Sequence, residues 1–144
     1  MSRIDYFKAK PEFITELRNI TKQQTGFSLD PALRAIVELR VSQINGCAYC
    51  TDLHTREARE LGVSQRKLDA LVVWKESQFF DEPEKAALAW AESLTHISQT
   101  HASEAEYLTL QRYFVDQAVV ELSLSISLAN FWNRMAGGFK RKVG

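Results

Sequence analysis

The sequence predicts an all-α fold on three observations. Apolar residues recur three and four apart, helix caps and stops punctuate the chain at short intervals, and only one short segment alternates as a strand would. At 144 residues the chain has the size of one domain, so a single helical domain over residues 1–144 is expected.

Pro11 suits the first position of a helix reaching about Gln24, with Gly26 as its stop. Asp30 and Pro31 read as cap and first residue of the next, along which Leu33, Ile36, Val37, Val41 and Ile44 repeat at helical spacing until Gly46 ends it. A third helix runs from about Cys47 to Leu61, closed by Gly62, and a fourth starts at Ser64 and carries Leu68, Leu71, Val72 and Trp74. Asp81 to Glu84 and Ser103 to Glu106 each place an acid three residues after a cap, opening two more helices.

The last helix is capped by Asp116 and ends at Gly137 and Gly138. Leu122 to Leu128 is the segment that alternates, but two helical stripes account for it better. Val119, Leu122, Ile126 and Ala129 form one, and Val120, Leu124, Leu128, Phe131 and Met135 form a second nearly opposite. Such a helix needs two partners: its own core, and either a neighbouring subunit or the rest of the bundle around it. The total is six to seven helices.

Eighteen basic side chains balance eighteen acidic ones, so no summed field would draw nucleic acid or an anionic membrane. The amino terminus has no signal-peptide run and no segment has the roughly 20 apolar residues of a membrane span, so a cytoplasmic location is expected.

The two cysteines of the chain fall in Cys47-Ala48-Tyr49-Cys50-Thr51-Asp52-Leu53-His54, spaced C-x-x-C-x-x-x-H. In a reducing compartment such a pair is more often catalytic or metal-binding than a structural staple. On a helix, Cys47, Cys50, His54, Glu57 and Leu61 share a narrow arc. The sulfurs also lie at the helix amino terminus, whose free N–H groups and dipole favour thiolate. Cys50 and His54 are one turn apart, close enough for the imidazole to take and return the thiol proton. Cys50 is therefore the favoured attacker and Cys47 the resolving sulfur, although the first cysteine attacks in other C-x-x-C enzymes.

Two plainer readings stand beside this one. The three side chains offer zinc three ligands, with His96, His101 or a carboxylate as the fourth, and buried cysteines can also serve as inert packing. His96 and His101 are expected in cap or surface roles. Trp74, Trp90, Trp132, Phe79 and Phe80 could line a pocket for an apolar hydroperoxide, but core or interface packing is expected of them.

The stretch Arg40-Val41-Ser42-Gln43-Ile44-Asn45-Gly46-Cys47-Ala48-Tyr49-Cys50-Thr51-Asp52-Leu53-His54-Thr55-Arg56-Glu57-Ala58 closely resembles the core of the alkylhydroperoxidase D (AhpD) family, grouped with carboxymuconolactone decarboxylase-like proteins. The similarity continues through Asp81 to Glu92 and Asn130 to Arg134. It implies an orthogonal helical bundle, assembly into trimers or hexamers, and a peroxidase or disulfide reductase that cycles its C-x-x-C pair without a bound organic cofactor. The expected partners are an organic hydroperoxide or disulfide substrate and a dithiol or redox-protein reductant.

The family's catalytic cysteines and histidine fall on Cys47, Cys50 and His54. Its proton-relay glutamate, twelve positions before the first cysteine, falls on Ala35. Glu38 lies one turn later, about 4.5 Å along the helix and about 60° around it. From there it could reach His54 by another path or through water, or simply pair with Arg34 in solvent. Glu57 could orient the ring, with a surface role the plainer reading. The rival functions are a histidine-based lyase acting on a small lactone, as in the decarboxylase branch, and a non-catalytic helical oligomer.

Overall fold

A computed structural model describes residues 2–144 as helices joined by short turns. They are α1 (Tyr6–Ala9), α2 (Pro11–Lys22), α3 (Pro31–Asn45), α4 (Ala48–Glu60), α5 (Gln65–Ala70), α6 (Glu82–Thr95), α7 (Ile97–Thr100), α8 (Glu104–Gln111) and α9 (Asp116–Gly138). The nine helices among the described residues exceed the six to seven expected. Both additions, α1 and α7, are single turns of four residues. One turn is too short for an apolar period to register.

Local chemistry explains most boundaries. Asp30 accepts from the Ala32 N–H with Pro31 at the first position, and Asp81 and Glu84 form both halves of a capping box. At Ser103 only the side-chain half forms, from the Glu106 N–H. Asp116 does not cap α9: Val115 occupies that position without a side-chain bond, and Asp116 lies in the first turn, where its charge suits the dipole. The fourth helix is shorter than expected, because Leu71–Glu76 tightens into 3-10 turns around Val73, whose backbone leaves helical values.

The core forms where α3, α6 and α9 meet, with Ile36, Leu39, Leu71, Leu88, Leu122 and Ile126 fully enclosed. Each such side chain contributes roughly 1.5–3 kcal/mol relative to exposure. The first stripe of α9 is buried throughout. On the second, Val120 and Leu124 are exposed and Leu128, Phe131 and Met135 half-buried, so α9 is not wrapped on all sides by its own chain. The chain ends meet, since the Arg3 N–H donates to the Phe139 carbonyl at 2.9 Å and Tyr6 packs on Phe139. Among the described residues no helix is long and apolar enough to cross a membrane.

Candidate active site

Two residues connect α3 to α4, and their geometry aims the reactive groups. Gly46 adopts the left-handed conformation (φ 67°) that closes a helix. Its N–H donates to the Gln43 carbonyl and the Cys47 N–H to the Ser42 carbonyl, a Schellman ending. Cys47 at once becomes the N-cap of α4, its sulfur accepting from the Cys50 N–H at 3.3 Å. The chain thus reverses, and α4 lies along α3. Glu38 and His54, each eight residues from Gly46, come opposite one another.

Cys47 and Cys50 are joined as a disulfide, their Cα atoms 5.3 Å apart. Both are almost wholly buried, packed with Ala136 and Tyr49. They differ in access, because Cys50 lines a cavity of about 370 Å³ with His54, Glu38 and Glu57, and Cys47 does not. The pair therefore meets the cavity at Cys50. The Cys50 sulfur also lies 3.9 Å from the Trp132 carbonyl oxygen. A thiol can donate across that gap, and a disulfide sulfur cannot.

The imidazole of His54 turns Nδ1 towards two carboxylates, Glu57 Oε2 at 2.9 Å and Glu38 Oε2 at 3.2 Å. Nδ1 between two acceptors carries the proton, which leaves Nε2 as the basic nitrogen of the neutral ring. Arg34 Nε stands 3.4 Å from Glu38 Oε1. With both carboxylates ionised, Arg34 balances only one of them, and a protonated imidazole balances the other.

That balance sets two protonation tendencies. Burial pushes the Glu38 carboxyl above the usual 4.5; the charges of His54 and Arg34 oppose this and Glu57 reinforces it. For His54, burial works towards a lower value. The Glu57 hydrogen bond and the charges of Glu38 and Glu57 outweigh burial and the repulsion of Arg34, and hold it above 6.5. The cluster therefore retains a proton beyond the pH at which isolated groups would release theirs.

Of the residues expected at the site, Cys50, His54 and Glu57 converge as the helical arithmetic required. Glu38 departs from its solvated reading: it does pair with Arg34, but it is only 8% exposed and touches His54 directly. Glu57 has a half-exposed side chain and still orients the ring. His96 and His101 are exposed at the two ends of α7, apart from the sulfurs. Among the described residues the side chains able to meet around a cation are Glu38, His54 and Glu57 rather than the cysteines, which are bonded to each other. Trp74, Trp90 and Phe80 are core and Phe79 packs against it, whereas Trp132 faces the cavity. Phe7, Arg18 and Arg141 also line it, and sequence reasoning missed all three.

Residues 11–93 match the carboxymuconolactone decarboxylase family. The uncharacterized protein YdfG of Bacillus subtilis (strain 168) is 32% identical over 134 residues, 93% of this chain and 91% of its own. A solved structure from Agrobacterium tumefaciens, ATU0492, is 34% identical with a TM-score of 0.97 over 100% of this chain and 99% of the other. It is a protein of unknown function named as a candidate antioxidant defence protein AhpD. The debrominase Bmp8 shares the fold, with a TM-score of 0.86 at 24% identity over 96% of this chain and 74% of that one.

Proposed function

The chain belongs to the carboxymuconolactone decarboxylase family, and within it we propose a thiol-dependent reductase of hydroperoxides or disulfides that cycles Cys47 and Cys50. The observation that carries this reading is a vicinal disulfide-forming pair with one sulfur in a cavity beside a histidine backed by two carboxylates. The AhpD name carried by ATU0492 points the same way.

In the reduced enzyme the Cys50 thiolate attacks the outer oxygen of a hydroperoxide. The O–O bond breaks, sulfur takes one oxygen as sulfenic acid, and the alkoxide leaves with a proton from the His54 imidazolium. The Cys47 thiol then attacks the sulfenic sulfur, the S–S bond forms, and water departs. Two thiols and a hydroperoxide thus become a disulfide, an alcohol and water. An external dithiol attacks the cavity-facing Cys50 sulfur, and Cys47 leaves as a thiolate that the Cys50 N–H already caps at 3.3 Å. The thiol proton of Cys50, restored by the dithiol, returns His54 to the imidazolium in the next cycle, while Glu38 and Glu57 accept from Nδ1 and support its charge.

The test mixes folded, reduced protein with cumene hydroperoxide and follows peroxide and free thiol together. One peroxide consumed per two thiols lost, with a Cys47–Cys50 disulfide in the product, is expected. Peroxide and thiols both unchanged would refute the proposal. A lyase needs neither sulfur, so lactone turnover surviving replacement of both cysteines by serine would favour the decarboxylase branch instead.

A further inference from the structure

Two guanidinium groups stand at the outer wall of the reactive cavity, Arg18 on α2 and Arg141 beyond α9. The ion pairs formed among the described residues include neither. They lie against aromatic rings instead, Arg141 over Tyr49 at 4.2 Å and Phe7 at 5.1 Å, and Arg18 over the same Phe7 at 5.3 Å. Arg141 also donates to the Tyr6 hydroxyl at 3.3 Å. Ring faces hold a guanidinium in place while its N–H edge stays available to a bidentate acceptor.

At the inner end of the cavity the charges are already paired: Glu38 and Glu57 flank His54, and Arg34, which also lines the cavity, stands 3.4 Å from Glu38. Phe7 and Trp132 stack with centroids 6.3 Å apart, and Thr21 accepts the indole N–H at 2.9 Å. An adjoining cavity of about 630 Å³ shares Phe7, Arg18 and Arg141 and adds Lys142. Its one carboxylate, Asp5, is engaged in capping α1.

The geometry points to a hydroperoxide that bears a carboxylate, bound with its anionic end on Arg18 and Arg141, its apolar body on Phe7 and Trp132, and its O–O bond at Cys50. The assignment rests on the thiol-peroxidase reading and names its oxidant. Charge fixes the direction of entry, since the inner cations Arg34 and His54 are already engaged by Glu38 and Glu57, whereas Arg18 and Arg141 have no ion-pair partner among the described residues. A cavity of this size admits one small organic molecule, which favours an acid hydroperoxide over an acidic protein surface. The chemistry is that already balanced: Cys50 takes the outer oxygen, and the hydroxy acid leaves with the His54 proton.

Two measurements test this separately from turnover. Tryptophan fluorescence of the oxidised protein is titrated with decanoate and with decanol. The reduced enzyme is assayed, with a dithiol present, on a fatty-acid hydroperoxide and its methyl ester. Decanoate is expected to bind about tenfold or more tightly than decanol, and Arg18→Glu or Arg141→Gln to cut the acid-over-ester ratio in kcat/KM about tenfold, the scale of a hydrogen bond to a charged group. Arg18 is exposed and carries the test alone if Arg141→Gln does not fold. Equal binding of acid and alcohol, or a preference that survives Arg18→Glu, would overturn the assignment and leave the peroxidase reading standing. Decanoate binding without turnover of any peroxide would overturn the oxidant by removing the reading beneath it.

Discussion

Glu38 and Glu92 are both partly enclosed carboxylates paired with an arginine of α3, and they behave oppositely. Glu92 accepts from the Trp74 indole at 2.9 Å and Arg40 at 3.1 Å, with Lys75 at 3.5 Å. Burial works to raise its carboxyl, but those hydrogen bonds and charges win and hold it below the usual 4.5. Glu38 is the more deeply buried, and burial raises its carboxyl against the charges of His54 and Arg34, with Glu57 adding to the rise. A carboxylate given more cations than it needs is fixed in charge and ties α6 to α3. One that is buried more deeply than its cations compensate has a proton to move, and it lines the cavity with Cys50.

The comparison sharpens under substitution. The largest effect is expected for His54→Gln, which removes the proton carrier and should lower the peroxide-reduction rate about 100-fold or more. Glu38→Gln keeps the shape and removes the charge that supports the imidazolium. The rate should fall about tenfold, and the limb of the kcat/KM profile set by imidazolium loss should move to lower pH, read from initial rates across pH. An unmoved limb would make Glu38 structural, like Glu92.

Glu92→Ala should show the converse pattern. Leaving Trp74 and Arg40 without an acceptor should cost about 1–3 kcal/mol of stability in denaturant unfolding, with turnover per folded molecule unchanged. The two regions also differ in their pH signatures. Raised values at Glu38 and His54 mean that the folded state holds extra protons, so their contribution to stability declines as pH climbs from 4.5 through 6.5 and on through the folded values. The lowered Glu92 contributes stability above 4.5 that disappears as pH falls through its folded value. Thermal melts should therefore rise on mild acidification from neutral pH and fall in stronger acid. Glu92→Ala should flatten the acid arm, and Glu38→Gln the neutral one. Glu57→Gln, at a half-exposed site, should change the rate only a few-fold, because Gln still offers Nδ1 an acceptor.

Long helices were legible in the sequence because each carries an apolar period, and α3 and α6 carry side-chain caps as well. Every one of the seven expected is present, and the two additions are single turns. The reactive arc was legible for the same reason, since Cys50, His54 and Glu57 share one helix. Glu38 was harder to judge. Its offset of about 60° is a property of α3 alone, whereas its reach depends on how the chain folds back at Gly46. Equal spacing of eight residues on either side of that glycine was the available signal. Phe7, Arg18 and Arg141 carried none, because the tertiary fold brings both chain ends to the motif. Trp132, expected to pack, reaches the cavity by the same route.

On the proposed function, the Glu38–His54–Glu57 cluster keeps the cavity-facing sulfur ionised. The most direct measurement is the alkylation rate of each cysteine in the reduced protein against pH, read by mass spectrometry, with and without His54→Gln. Cys50 is expected to react faster than Cys47, with a midpoint well below the roughly 8.5 of a free thiol, and His54→Gln to raise that midpoint. Equal rates at an ordinary midpoint, unmoved by the substitution, would contradict it.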